Sequence, residues 1–159
     1  MPKLTPTARA FSEVVIEVFR INGLALDAGD VLSGPAGLTS ARWQVLGAVA
    51  MGGTPQPVAH IAGDLGLARQ GVQRIVNELA EDGFLAFEDN PRHRRAKLVR
   101  LTPRGSETMT AVTSLQRPWV DGLAAGLDPT RIAIAAEVLA ALWNRLDQGA
   151  GADGTLEQD

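Results

Sequence analysis

The feature that most restricts this chain is a pair of short amphipathic segments with almost nothing between them. Residues 57–65 carry Val58, Ile61, Ala62 and Leu65 at helical spacing, and Gly66 follows, a residue type that ends helices in the left-handed conformation. Only Leu67 and Ala68 intervene before Val72, Ile75, Val76 and Leu79 line one face of a second segment, which Gly83 ends. Two helices joined by so tight a turn form a helix-turn-helix. Pro57 suits the first helical position, where its missing N–H is no loss.

The flanks extend this unit in both directions. Phe11, Val14, Val15, Val18 and Ile21 recur at three- and four-residue steps and predict a long helix over 5–28. Residues 29–37 (GDVLSGPAG) are rich in breakers and predict a loop. Thr39 or Ser40 can cap a helix to about Met51, and residues 52–56 (GGTPQ) read as a turn. After Gly83 the apolar period shortens to two. Leu85, Phe87, Val99 and Leu101 predict the core face of a β-hairpin around a turn at 89–93. Thr102 and Pro103 then open a helix to about Gly126, in which Pro118 predicts a kink. Asp128 and Pro129 repeat that opening for a last helix to about Gln148, and 149–159 read as a flexible tail.

The expected fold class is therefore mainly α with a small β-hairpin (α+β), a winged helix-turn-helix. Its lobe spans 38–102, between dimerisation helices in 1–37 and 103–148. The last helix alone carries Ile132, Ile134, Val138, Leu139, Leu142, Trp143 and Leu146, more apolar surface than a compact lobe needs. A second copy of the chain is the simplest cover, since two-fold homodimers are the commonest oligomers.

Charge distribution directs the functional reading. The formal net charge is −3, yet residues 69–104 hold eight of the fifteen Lys and Arg against five acids. A basic window on an acidic body suggests a polyanion partner. The segment ARQGVQRIVNEL presents Arg69, Gln70, Gln73, Arg74 and Asn77 away from its apolar face. Arg matches guanine, and Gln or Asn matches adenine, at major-groove edges. Gly71 lets the backbone approach closely, and the first-turn N–H groups suit a phosphate. Arg92, His93, Arg94, Arg95, Lys97 and Arg100 crowd the hairpin, where a charged loop can reach the adjacent minor groove. The expected partner is double-stranded DNA. A protein-interaction module without sequence-specific DNA binding is the alternative.

Other classes find little support. The chain has no Cys and no Tyr, and its two His are His60 and His93, far apart in sequence. It carries no phosphate-binding loop, dinucleotide fingerprint, metal spacing or catalytic triad pattern, so no enzyme, metal or cofactor is expected. No apolar run is long enough for a membrane span or a signal segment, so a cytoplasmic protein is expected.

Three stretches, LTSARWQVLGAV at 38–49, HIAGDLGLARQGVQRIVNELAEDGFL at 60–85 and NPRHRRAKLVRLTPRG at 90–105, resemble the MarR family of bacterial transcription regulators over roughly residues 5–147. The resemblance implies winged helix-turn-helix homodimers that bind palindromic operators, usually as repressors, and are often released by a phenolic or aromatic-acid ligand. It places the recognition positions at Ala68, Arg69, Gln70, Gly71, Gln73 and Arg74, with Arg92, Arg94, Arg95 and Lys97 in the wing. Ala68 and Gly71 stand where the family often has Ser, and His93 stands where it usually has a wing Asp. The resemblance also implies a small-molecule effector pocket, with Phe11, Val15, Arg42, Trp43 and Leu46 as candidate lining, joined by Met109 or Val112. Arg42 would pair with a carboxylate and Trp43 would stack on a ring.

Overall fold

The structure is a computed structural model that describes the backbone of residues 3–153 and the side chains of 3–148. Helix α1 spans Pro6–Ser33, α2 Ser40–Gly52, α3 Val58–Leu65, α4 Arg69–Glu81, α5 Pro103–Ala124 and α6 Pro129–Asp153. Strands β1 (Gln56–Pro57), β2 (Leu85–Glu88) and β3 (Leu98–Leu101) form one antiparallel sheet in the order β1-β3-β2. The chain divides into two compact units at Pro118–Trp119.

The first unit contains the helix-turn-helix and its sheet. Val58, Ile61 and Ala62 from α3 and Val72, Ile75, Val76 and Leu79 from α4 are buried together with Val45, Leu46 and Val49 of α2. Leu85, Val99 and Val112 complete this core from the sheet and α5. The expected caps are present. Thr39 Oγ1 accepts from the Arg42 N–H at 3.3 Å, and Thr102 Oγ1 accepts from the Gly105 N–H at 3.0 Å. Gly66, at φ 62°, ends α3 in the left-handed region, as its place before the turn required.

Four local expectations change. Helix α1 continues through most of the expected 29–37 loop, followed by a short 3₁₀ turn at Gly34–Ala36. The small residues there serve packing. A Cβ on Gly29 would lie 2.5 Å from Ser40 Oγ, so α1 passes α2 too closely for any larger side chain. Buried Ser33 donates to the Gly29 carbonyl at 2.7 Å, and Asp30 accepts from the Ser40 N–H at 2.5 Å. These bonds give the polar groups partners inside the contact. Pro57 sits outside α3 as its extended N-cap residue, because Gln56 and Pro57 pair with Val99 and Leu98. The hairpin loop runs over residues 89–97, longer than the expected turn. Finally, Phe87 is 37% exposed although its register partner Val99 is buried.

Helix α5 passes through Pro118 as a continuous helix. In the second unit, the Thr130 N–H donates to Asp128 Oδ1 at 2.8 Å at the start of α6, as the Asp-Pro pattern predicts. Helix α6 extends to Asp153, so the expected tail at 149–159 begins inside helix, and its residues 154–159 lie outside the described residues.

Candidate nucleic-acid interface

The apolar face of α4 fixes which side chains remain available. With Val72, Ile75, Val76 and Leu79 buried, Arg69, Gln70, Arg74 and Asn77 are exposed and Gln73 is half-buried. Three of these positions are tied down along the helix. Gln73 Nε2 donates to Asn77 Oδ1 at 2.9 Å, and Arg74 pairs with Glu78 at 3.2 Å. Such exposed i,i+4 pairs are weak. They hold the face in order without committing it. Gly71 has open space where a Cβ would stand, so nothing among the described residues requires a glycine there.

Ala68 is the N-cap residue of α4 and supplies no side-chain acceptor to the first turn. A Ser at this position could accept from one of those N–H groups. Its absence leaves the first-turn donors open to an external anion, in keeping with the exposure of Arg69 and Gln70.

The wing is organised by a residue that the charge pattern did not single out. Asn90 Oδ1 accepts from the N–H groups of Arg92 and His93 at 3.0 and 3.3 Å, and the His93 carbonyl accepts from Ala96 at 3.0 Å. The Asn-Pro pair, a known turn initiator, carried that signal in the sequence. Arg100 is drawn back to Glu88 at 3.4 Å across the hairpin. Arg92, Arg94, Arg95 and Lys97 are exposed and form no ion pair among the described residues. His93 is exposed too, and no Asp–Arg pairing orients the wing tip among the described residues.

Between α4 and the wing lies a cleft of about 320 Å³. Arg69 and Gln73 line it from α4, Arg95, Ala96 and Lys97 from the wing, and Phe87 from β2. Pro57, Val58 and Ala59 form the remaining wall. The structure thus brings together four of the expected DNA-contacting residues in one concavity, with Ala68, Gln70, Gly71, Arg74, Arg92 and Arg94 outside that lining.

The candidate effector residues have different surroundings. Leu46 is fully buried in the core, and Trp43 and Met109 pack against it. Val112 is also fully buried, Phe11 is exposed and Val15 half-buried. Arg42 is already engaged: its Nη2 donates to the Asp82 carboxylate at the C-cap of α4. Its guanidinium lies 5.9 Å from the Phe84 ring centre, and that of Arg104 lies 4.7 Å from the same ring. Arg42 Nε is buried without a hydrogen-bond partner.

Comparison with known proteins places this geometry. Residues 36–96 match the family model described as MarR family. An uncharacterised protein of Mycobacterium tuberculosis (strain H37Rv) is 36% identical over 121 residues, covering 76% of this chain and 83% of the relative. CouR from Rhodococcus jostii RHA1 bound to p-coumaroyl-CoA superposes with a TM-score of 0.72 at 21% identity, over 79% of this chain and 88% of that one. A mutant MarR from E. coli complexed with operator DNA gives a TM-score of 0.67 at 20% identity, over 80% and 94%. The chain belongs to the MarR family of winged helix-turn-helix transcription regulators.

Proposed function

We propose that this protein is a homodimeric repressor that binds a palindromic operator in the bacterial cytoplasm and is released by a small ligand. The observation that carries the DNA reading is the continuity of the α4 face, the cleft and the wing. Uncommitted cations stand on both sides of a concavity next to uncapped helix N–H groups. Helix α4 would enter the major groove with Arg69, Gln70, Gln73 and Arg74. The wing would reach the neighbouring minor groove with Arg92, Arg94, Arg95 and Lys97. The operator-bound E. coli relative supports this assignment by its shared fold.

Selection of bound sequences from random duplex DNA tests the reading. Arg74→Ala is expected to cost about 1–3 kcal/mol and to relax base preference at one position of each half-site. Unchanged preference would remove Arg74 from the reading face. A chain that serves only protein contacts would select no sequence at all.

Dimerisation rests on the apolar surface of individual helices. In α1, Phe19, Leu24 and Val31 are each more than 70% exposed, and in α6 Leu146 is 65% exposed. So many large apolar side chains left exposed along single helices support an association surface on each. Sedimentation at micromolar concentration is expected to give twice the 16.8 kDa chain mass; a monomer there would refute the dimer.

The ligand is proposed to be an aromatic or phenolic acid. The CouR structure, whose p-coumaroyl-CoA carries a phenolic acyl group as a thioester, supports the phenolic ring of that class and not its free carboxylate. Arg42 remains the candidate carboxylate partner, but Asp82 already occupies part of its donor fork. An incoming carboxylate would therefore compete with the C-cap of α4.

A further inference from the structure

Phe87 has an environment that neither the core nor the base-reading face accounts for. Strand alternation puts it with Leu85, and its register partner is the buried Val99. Yet 37% of its surface is exposed, and it lines the same cleft as Arg69, Gln73, Arg95 and Lys97. A lone exposed Phe on a convex surface would mean nothing. Here the ring forms an apolar wall of a concavity that also holds three cations, none of them ion-paired among the described residues.

A cleft that is cationic on one side and apolar on the other fits a group with the same division. A phosphodiester joined to its sugar has it: charged oxygens on one side, a largely apolar deoxyribose face on the other. Position favours this occupant. The cleft lies between the helix assigned to the major groove and the wing assigned to the minor groove. In duplex DNA a sugar–phosphate strand is what separates those two grooves. The geometry points to Phe87 as a DNA contact, with one phosphate among Arg69, Arg95 and Lys97 and the adjoining deoxyribose against the Phe87 ring. This inference rests on the DNA-binding reading above and adds an apolar contact to it.

Salt dependence separates the two kinds of contact. Phosphate contacts release counterions and set the slope of log affinity against log salt, whereas apolar burial does not. The test is fluorescence anisotropy of a labelled duplex with the full-length protein across a KCl series. Phe87→Ala and Phe87→Gln are each expected to weaken binding about 5–10-fold at every salt concentration, with the slope of the unsubstituted protein. Phe87→Leu, which keeps apolar surface, is expected to stay within about 2-fold. Lys97→Ala is expected to lower the slope by about one. Thermal melts accompany each variant, and if Phe87→Ala does not fold, the Gln and Leu variants decide.

Binding by Phe87→Gln equal to that of the unsubstituted protein overturns the inference, as does a loss that comes with a reduced slope. Benzoate binding that depends on Phe87, with DNA affinity indifferent to Phe87, overturns it as well. The cleft would then be a small-acid site. If the unsubstituted protein shows no salt-dependent DNA binding, the functional reading fails and carries this inference with it.

Discussion

Gly105→Ala is expected to destabilise the protein by about 3 kcal/mol or more, beyond the usual cost of an added methyl in a packed site. Gly105 is buried in the first turn of α5. A Cβ there would overlap the Phe84 carbonyl oxygen and come within 2.9 Å of Leu101 Cδ2. The carbonyl is backbone and cannot rotate away, because it accepts from the Thr102 N–H at 3.1 Å. Thr102 Oγ1 also donates to the Gly83 carbonyl at 2.6 Å while capping α5. The new methyl would therefore pry apart the junction of α4, the sheet and α5. For a chain of this size the expected fall in Tm is roughly 6–12 °C or more. Circular dichroism melts at fixed protein concentration measure it, since dimers melt in a concentration-dependent way. A shift under about 2 °C, or a rise, would show that the junction has slack the close contact denies.

Leu46→Ala is expected to cost about 2–5 kcal/mol with no ligand present. Leu46 is fully buried among residues of α2, the helix-turn-helix and the sheet. Truncation would leave a cavity that the surrounding elements cannot close, because they are held by their own caps and turns. The denaturant midpoint should fall while the m value stays constant. The resemblance to ligand-responsive regulators placed Leu46 in an effector pocket, which leads to a different result: near-native stability with altered ligand response. Equilibrium unfolding in urea, without effector, distinguishes the two. A midpoint unchanged by the substitution would return Leu46 to the pocket.

Much of the fold was legible because its signals are local. Thr39, Gly66, Thr102 and Asp128 act as caps or stops within a few residues of where they stand. The α4 face was legible because burial of four apolar residues at helical spacing leaves one set of polar residues outside. What escaped depends on distant partners. Gly29 and Ser33 look like loop residues until Ser40 and Leu38 come against them. Gln56 and Pro57 are too short a strand to show a period, and they are ordered by β3, some forty residues later. Phe87 obeys the strand alternation, but the sequence does not say where the covering helices end. Arg42 could be read as a carboxylate binder by type, whereas its meeting with Asp82 joins elements forty positions apart.

The pairing of β1 with β3 has a further consequence, for association in crowded solution. A wing built as a bare hairpin would expose two open strand edges, each a template for another chain. Here β3 lies in the middle of the sheet, and the outer strands are short. One edge has two residues, and Pro57, one of them, has no N–H to donate. The other has four and ends at Glu88, which is held by Arg100. The element that carries the densest positive charge is thereby poorly suited to recruiting a strand from a neighbouring molecule. It can present its cations at high local concentration without offering the β-edge that would turn such encounters into aggregates.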